Sequence, residues 1–143
     1  MTETGTRQRS RKGIVYGLAW WLVVGVWTVG LLTSSPAQIG KEMIPMGIYL
    51  VSKLVHVAAY AFLAFCLPWI ASRRWRWLLL AFLSLHAAGT EYLQQFVPGR
   101  TGQISDVVID HIGLLLGLAL TWKHWLPRTH SSRPALVASE PRP

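Results

Sequence analysis

From Ile14 to Leu32 the chain runs for nineteen residues without one charged side chain. As a helix this stretch spans roughly 28 Å, close to the thickness of a bilayer's hydrocarbon core. That feature limits the fold more than any other, because few soluble domains of 143 residues could hide such a helix. The composition agrees. The chain is 52% hydrophobic and 14% charged, against about 25% charged in an ordinary soluble domain. A signal peptide is the competing reading, with Ser34-Ser35-Pro36-Ala37 as a weak cleavage site. The length of the run and its Trp20, Trp21 and Trp27 favour a retained helix.

Three more apolar segments follow, and together they predict an all-α integral membrane four-helix bundle. The spans are about 14–32, 48–71, 77–96 and 104–125. Residues 1–12 carry Arg7, Arg9, Arg11 and Lys12 with nothing to bury, and read as a flexible basic tail. Residues 33–47 form a polar loop with Pro36 and Pro45, and Ser72-Arg73-Arg74-Trp75-Arg76 is a short basic connector. Residues 126–143 are rich in Pro, Ser and Arg and read as disordered. Between the last two spans, Val97-Pro98-Gly99-Arg100 reads as a tight turn: proline presets the first central dihedral and glycine supplies the positive one.

Orientation comes from the bases. The N-tail has four Lys or Arg, the Arg73–Arg76 connector three and the C-tail four, against Lys41 and Arg100 on the other side. Eleven against two places both termini in the cytoplasm. Trp69, Trp75, Trp77, Trp122 and Trp125 gather at the same ends, as an interfacial belt does. The formal charge of +8 therefore belongs to the membrane's edge. No stretch alternates aromatics with bases as a nucleic-acid stacking surface would, so no nucleic-acid partner is expected. Cys66 is the single cysteine, which excludes an internal disulfide and any multi-cysteine metal site.

Ionisable groups within the spans are expensive and point to function by default. Lys53, His56 and Tyr60 share one face of the second span at i, i+3 and i+7. Glu91 and Gln94 share a face near the end of the third, whereas His86, about 140° away, is expected to face elsewhere. Asp106, Asp110, Gly113 and Gly117 form one stripe on the fourth. In the predicted topology Lys53 and Glu91 each lie about 8 Å below the outer end of their span, and His56 about 12 Å. Asp110 lies about 6 Å inside Asp106. Three helices thus bring charged groups to one level, with Glu91 or Asp110 as the expected partner of Lys53. Asp106, at a helix start, also has the help of the dipole and free amides. Gly113 and Gly117 let a neighbouring helix come close, within the chain or across a dimer.

The combined pattern Lys53-Leu54-Val55-His56-x3-Tyr60, Glu91-x2-Gln94, Phe96-Val97-Pro98-Gly99-Arg100, Asp106 and Gly113-x3-Gly117 resembles the VanZ-like family. The likeness covers about residues 48–120, and the first span fits as the leading helix of a domain over 13–125. The resemblance implies a small multi-pass protein of the bacterial inner membrane, related to a founding member linked to teicoplanin resistance. One departure is Asp110, where family members usually carry asparagine, which makes this site more acidic.

Three functions compete. The first is an outer-leaflet binding site built from Lys53, His56, Tyr60, Glu91, Gln94, Arg100, Asp106 and Asp110. It would take lipid-linked envelope precursors or lipidated glycopeptide antibiotics. Arg100, the outer-turn base, is either a headgroup anchor or a direct binder of phosphate or carboxylate. The second is an intramembrane enzyme using Glu91, His56 and Asp106 as acid–base groups. No zinc or serine-hydrolase motif is present; no cofactor is expected, although these donors suit one divalent ion. The third, transport, lacks ionisable residues in the inner halves of the spans. A purely structural ion-pair network is the bland alternative, weakened by the desolvation that such networks require. Expected partners are a membrane lipid or lipid-linked precursor, with a second copy or another membrane protein.

Overall fold

The structure, a computed structural model, describes residues 3–33, 46–100 and 102–126. The loop expected over 33–47 and the tail expected over 126–143 fall almost wholly outside the described residues. All regular structure among them is helical: α1 (Glu3–Leu32), α2 (Met46–Ile70), α3 (Arg73–Gln94), α4 (Ile104–Leu120) and a single turn, α5 (Trp122–Trp125). α1 corrects one expectation. It starts at Glu3, so the helix takes in most of the basic stretch that was expected to precede it.

Among the described residues, two helices contain stretches long and apolar enough to cross a membrane, Gly13–Leu32 and Tyr49–Ile70. The last two spans are less clear-cut than expected. α4 is 17 residues long because it breaks at Thr121, whose Oγ1 bonds back to the Gly117 carbonyl at 2.8 Å. Such a bond competes with the helical ladder. Trp125 then donates its indole N–H to Thr121 Oγ1 at 3.1 Å, which holds α5 against the end of α4. α3 is diluted by the arginines of its first turn. They were expected to form a connector, but only Ala71 and the N-cap Ser72 separate α2 from α3.

Arg76 explains that tight junction. Its guanidinium donates to the carbonyls of Pro68 (2.9 Å), Ala71 (2.9 Å) and His124 (2.7 Å). It therefore caps the end of α2 and ties α5 to it, satisfying carbonyls that a helix end leaves free. Arg76→Ala is expected to cost about 2 kcal/mol and to speed amide exchange around 68–74. Arg76→Lys should restore only part of it, since an ammonium cannot fork to three carbonyls. A melt in detergent with hydrogen exchange checks both; wild-type exchange in the alanine variant would show the caps to be idle.

Contacts fix the relative directions. Trp20 N–H meets the Leu63 carbonyl while Trp27 stacks edge-on against His56, so α1 and α2 are antiparallel. Tyr60 meets His86 and Pro68 meets Arg76, so α2 and α3 are antiparallel too. α2 and α4 run parallel: Lys53 faces Asp106, His56 faces Asp110, and Gly113 and Gly117 lie on Val57 and Ala61. The two glycines let this contact form. A Cβ at Gly113 would stand 2.5 Å from the Val57 carbonyl oxygen, and one at Gly117 2.3 Å from that of Ala61. The pair is thus occupied within the chain, and a dimer would need another face.

The interior is layered. Trp20, Val24, Leu63, Ala64, Leu67, Leu83, Ala87, Leu114 and Trp125 form an apolar core. Toward the other end, the buried groups are His56, Thr90, Glu91, Gln94 and Asp110. The exterior is the reverse of a soluble protein's: Leu22 is 68% and Leu85 74% exposed, while Glu91 is 3% and Asp110 0%. Large continuous apolar surface around buried charge marks a face that meets something other than water.

Candidate functional site

Local structure first explains how Glu91 comes to be covered. α3 ends in three successive i→i+3 bonds, from Gln95, Phe96 and Val97. The Arg100 N–H then bonds the Val97 carbonyl at 3.0 Å, and Gly99 adopts φ 76, the turn read from Pro98-Gly99. The chain next passes directly over α3. A Cβ on Gly102 would stand 2.0 Å from the Glu91 carbonyl oxygen, so only glycine fits this crossing. The Gln103 backbone N–H then donates to Glu91 Oε2 at 2.9 Å.

Among the described residues an ion pair and a histidine–carboxylate hydrogen bond join α2 to α4. Lys53 Nζ donates to Asp106 Oδ1, both side chains being 13% exposed. The ammonium also lies 4.9 Å from the centre of the Tyr49 ring, a cation–π contact. Asp106 gains from the first turn of α4, where the dipole favours an anion. One turn deeper, His56 Nδ1 and Asp110 Oδ1 are 2.9 Å apart. Lys53 therefore pairs with Asp106, not with Glu91 or Asp110 as expected. The parallel packing of α2 on α4 moves each partner by one turn, and His56 takes the deeper acid.

A third polar layer lies below. Thr28 donates its hydroxyl to the Val24 carbonyl at 2.7 Å, so toward His86 Nε2, at 2.8 Å, it serves as acceptor. With Nε2 carrying the proton, Nδ1 accepts from the Tyr60 hydroxyl at 2.9 Å. Every polar atom in this chain of bonds is then satisfied by a neutral imidazole. His86 thus bonds to α1 and α2 and not to Glu91, consistent with its facing elsewhere. α3 does not have a single buried face. It has several: His86 reaches α1, and Ser84 reaches His111 on α4 at 2.8 Å. His111 in turn donates Nδ1–H to the Val107 carbonyl at 2.7 Å.

What these bonds leave over defines the site. Among the described residues, Glu91 Oε1, Asp110 Oδ2, Gln94 Nε2 and Trp27 Nε1 are buried and have no hydrogen-bond partner. One donor atom each from His56, Glu91 and Asp110 lies within 4.8 Å of the others. A cleft of about 200 Å³ opens beside Glu91, lined by residues of α3 and α4 with Gly102 and Gln103 between them. A second, apolar cavity of about 400 Å³ lies between α1 and α2, lined by Trp20, Val23, Phe62, Cys66 and Trp69 among others. The two lie between different helix pairs.

Set beside this geometry, the comparison with known families is decisive. A family model described as VanZ/LLP1 matches residues 5–126. The chain belongs to the VanZ/LLP1 family. Comparisons with curated proteins and with solved structures give no match.

In this VanZ/LLP1 chain, His56, Tyr60, Glu91, Gln94 and Asp110 come together as buried residues, with Lys53 and Asp106 one turn outward. Arg100 does not join them. Its Nε and Nη2 donate to the carbonyls of Thr33 (2.9 Å) and Gly30 (3.0 Å), capping α1. Sequence reasoning missed Thr28, His111, Gly102 and Gln103. The histidine adjoins Asp110 and could have been suspected. Gly102 had no signal, because its role is set by the path of the chain over α3.

Proposed function

We propose that this VanZ/LLP1 protein is a four-span protein of the bacterial inner membrane, with both termini cytoplasmic. Its buried cluster would bind the polar end of a lipid-anchored envelope compound, a lipid-linked precursor or a lipidated glycopeptide antibiotic. The observation that carries this reading is the inversion: Glu91 and Asp110 are buried with unpartnered oxygens, under an exterior of Leu, Val and Phe. The eleven-to-two split of bases and the exposed Trp69, Trp75, Trp77 and Trp122 support the orientation.

Size narrows the ligand. A cleft of about 200 Å³ is smaller than the roughly 300–1,000 Å³ of sites that engulf a drug-sized molecule. Lined by Glu91 and no base, it suits an amine or one sugar hydroxyl cluster, with the remainder of the headgroup outside. Beneath it the apolar core, from Leu63 to Trp125, offers no ionisable path onward, which argues against transport by one chain. The test is native mass spectrometry of protein extracted from its own membrane. A retained lipid-linked species is expected, and Glu91→Gln should weaken its binding about tenfold or more. Wild-type protein that retains no such species, or a variant that keeps it unchanged, would overturn the reading.

A second reading is favoured by the His56–Asp110 pair facing Glu91. A hydrogen-bonded imidazole beside an unpartnered carboxylate is an acid–base arrangement, so the bound compound could be turned over. Release of phosphate or headgroup by wild type, abolished in Glu91→Gln, would establish it.

A further inference from the structure

We propose that His56, Glu91 and Asp110 form a site for one divalent first-row transition-metal ion of the zinc class. The three residues come from α2, α3 and α4 and are all buried. Their donor atoms lie within 4.8 Å of one another. Bonds of about 2.0–2.2 Å at tetrahedral angles put donors about 3.3–3.5 Å apart. Closing round an ion therefore needs inward side-chain shifts on the order of 1 Å. The imidazole would exchange its hydrogen bond to Asp110 for a metal bond, leaving that carboxylate as a ligand beside it.

Two further observations point to a cation. Glu91 Oε1 and Asp110 Oδ2 are buried acceptors with no donor, and a buried polar atom without a partner is costly. Charge points the same way. Lys53 is paired with Asp106, and Arg100 is drawn to the carbonyls of α1. The hydrogen bonds of His86 and His111 are satisfied in their neutral forms. Counting Lys53 against Glu91, Asp106 and Asp110 gives +1 − 3 = −2. One divalent ion with neutral His56 brings the cluster to zero, whereas a protonated His56 alone leaves it at −1.

The donor set selects the ion. One imidazole and two carboxylates suit zinc and its neighbours, whereas calcium and magnesium favour all-oxygen shells. Three protein ligands leave a fourth position for water or a ligand atom, and a cleft reaches one of them, Glu91. The site stands on these three side chains and not on the lipid-binding reading. It deepens the enzymatic one by naming its metal: metal bound without turnover would retain this proposal and remove that reading.

The experiment uses the full chain in detergent, stripped with chelator and reloaded with zinc or cobalt chloride. Elemental analysis should show one ion per chain, cobalt should give visible d–d bands of a low-coordinate site, and zinc should raise the thermal midpoint. Asp110→Asn and His56→Gln should lower affinity by more than about 100-fold, beyond what outer-shell changes cause. Wild-type protein that takes up no ion overturns the proposal, and so do folded variants that bind as tightly as wild type. Should the variants fail to fold, X-ray absorption of the cobalt form decides it. One imidazole with oxygen donors supports the site; a shell with sulfur or without imidazole sinks it.

Discussion

Gly117→Leu is expected to unseat α4 from α2 and leave little folded protein. The reason is geometric. Even a methyl at this position would stand 2.3 Å from the Ala61 oxygen, 2.9 Å from the Ala64 Cβ and 2.9 Å from the Phe65 nitrogen. Two of these are backbone atoms of a packed helix and cannot turn aside. Overpacking of this kind costs about 3 kcal/mol or more, and here it would also break the close approach of α4 to α2. Gly113→Leu should behave similarly, with the Val57 oxygen at 2.5 Å. Gly89→Ala is the control: nothing lies within 4 Å of a Cβ there, so stability should hold or rise slightly. Melting of the three variants in detergent is the measurement. A Gly117→Leu chain that melts like wild type would mean that α2 and α4 do not touch as described.

Lys53→Met should destabilise by about 2–3 kcal/mol, as should Asp106→Leu, while the double variant returns close to wild type. Breaking a buried pair leaves an uncompensated charge, and removing both charges does not. Two features temper the single losses: Asp106 keeps the helix dipole of α4, and a lysine near a helix end can extend toward water. The double-mutant cycle isolates the coupling. Single variants that each cost less than about 0.5 kcal/mol, with additive double behaviour, would show the pair to be exposed and idle.

The apolar parts of the four long helices, the Pro98-Gly99 turn and the glycine stripe were legible in the sequence, because each rests on local chemistry or on a long period; the helical N-terminal stretch and the break at Thr121 were not. Counting residues along spans put Lys53, Glu91 and Asp110 at one level; in the structure Glu91 and Asp110 meet His56, and Lys53 lies one turn outward with Asp106. Pairing did not follow from the count. Depth estimates good to about one turn cannot choose between Asp106 and Asp110, which are themselves one turn apart. Arginine roles were hidden for another reason. Arg76 and Arg100 act on backbone carbonyls of distant helix ends, and carbonyls have no letter in a sequence. The partners of His86, Thr28 and Tyr60, were not legible because a helix between several neighbours has no single inner face.

The parallel seating of α2 on α4 bears on how the protein is made. α2 leaves the ribosome some fifty residues before the acids that answer it, since Lys53 waits for Asp106 and His56 for Asp110. Until then the nascent intermediate carries an unneutralised ammonium within an apolar segment. In the proposed four-span topology, insertion would be completed only once α4 is made, and a chain truncated before Ile104 is expected to be retained at the translocation machinery or degraded.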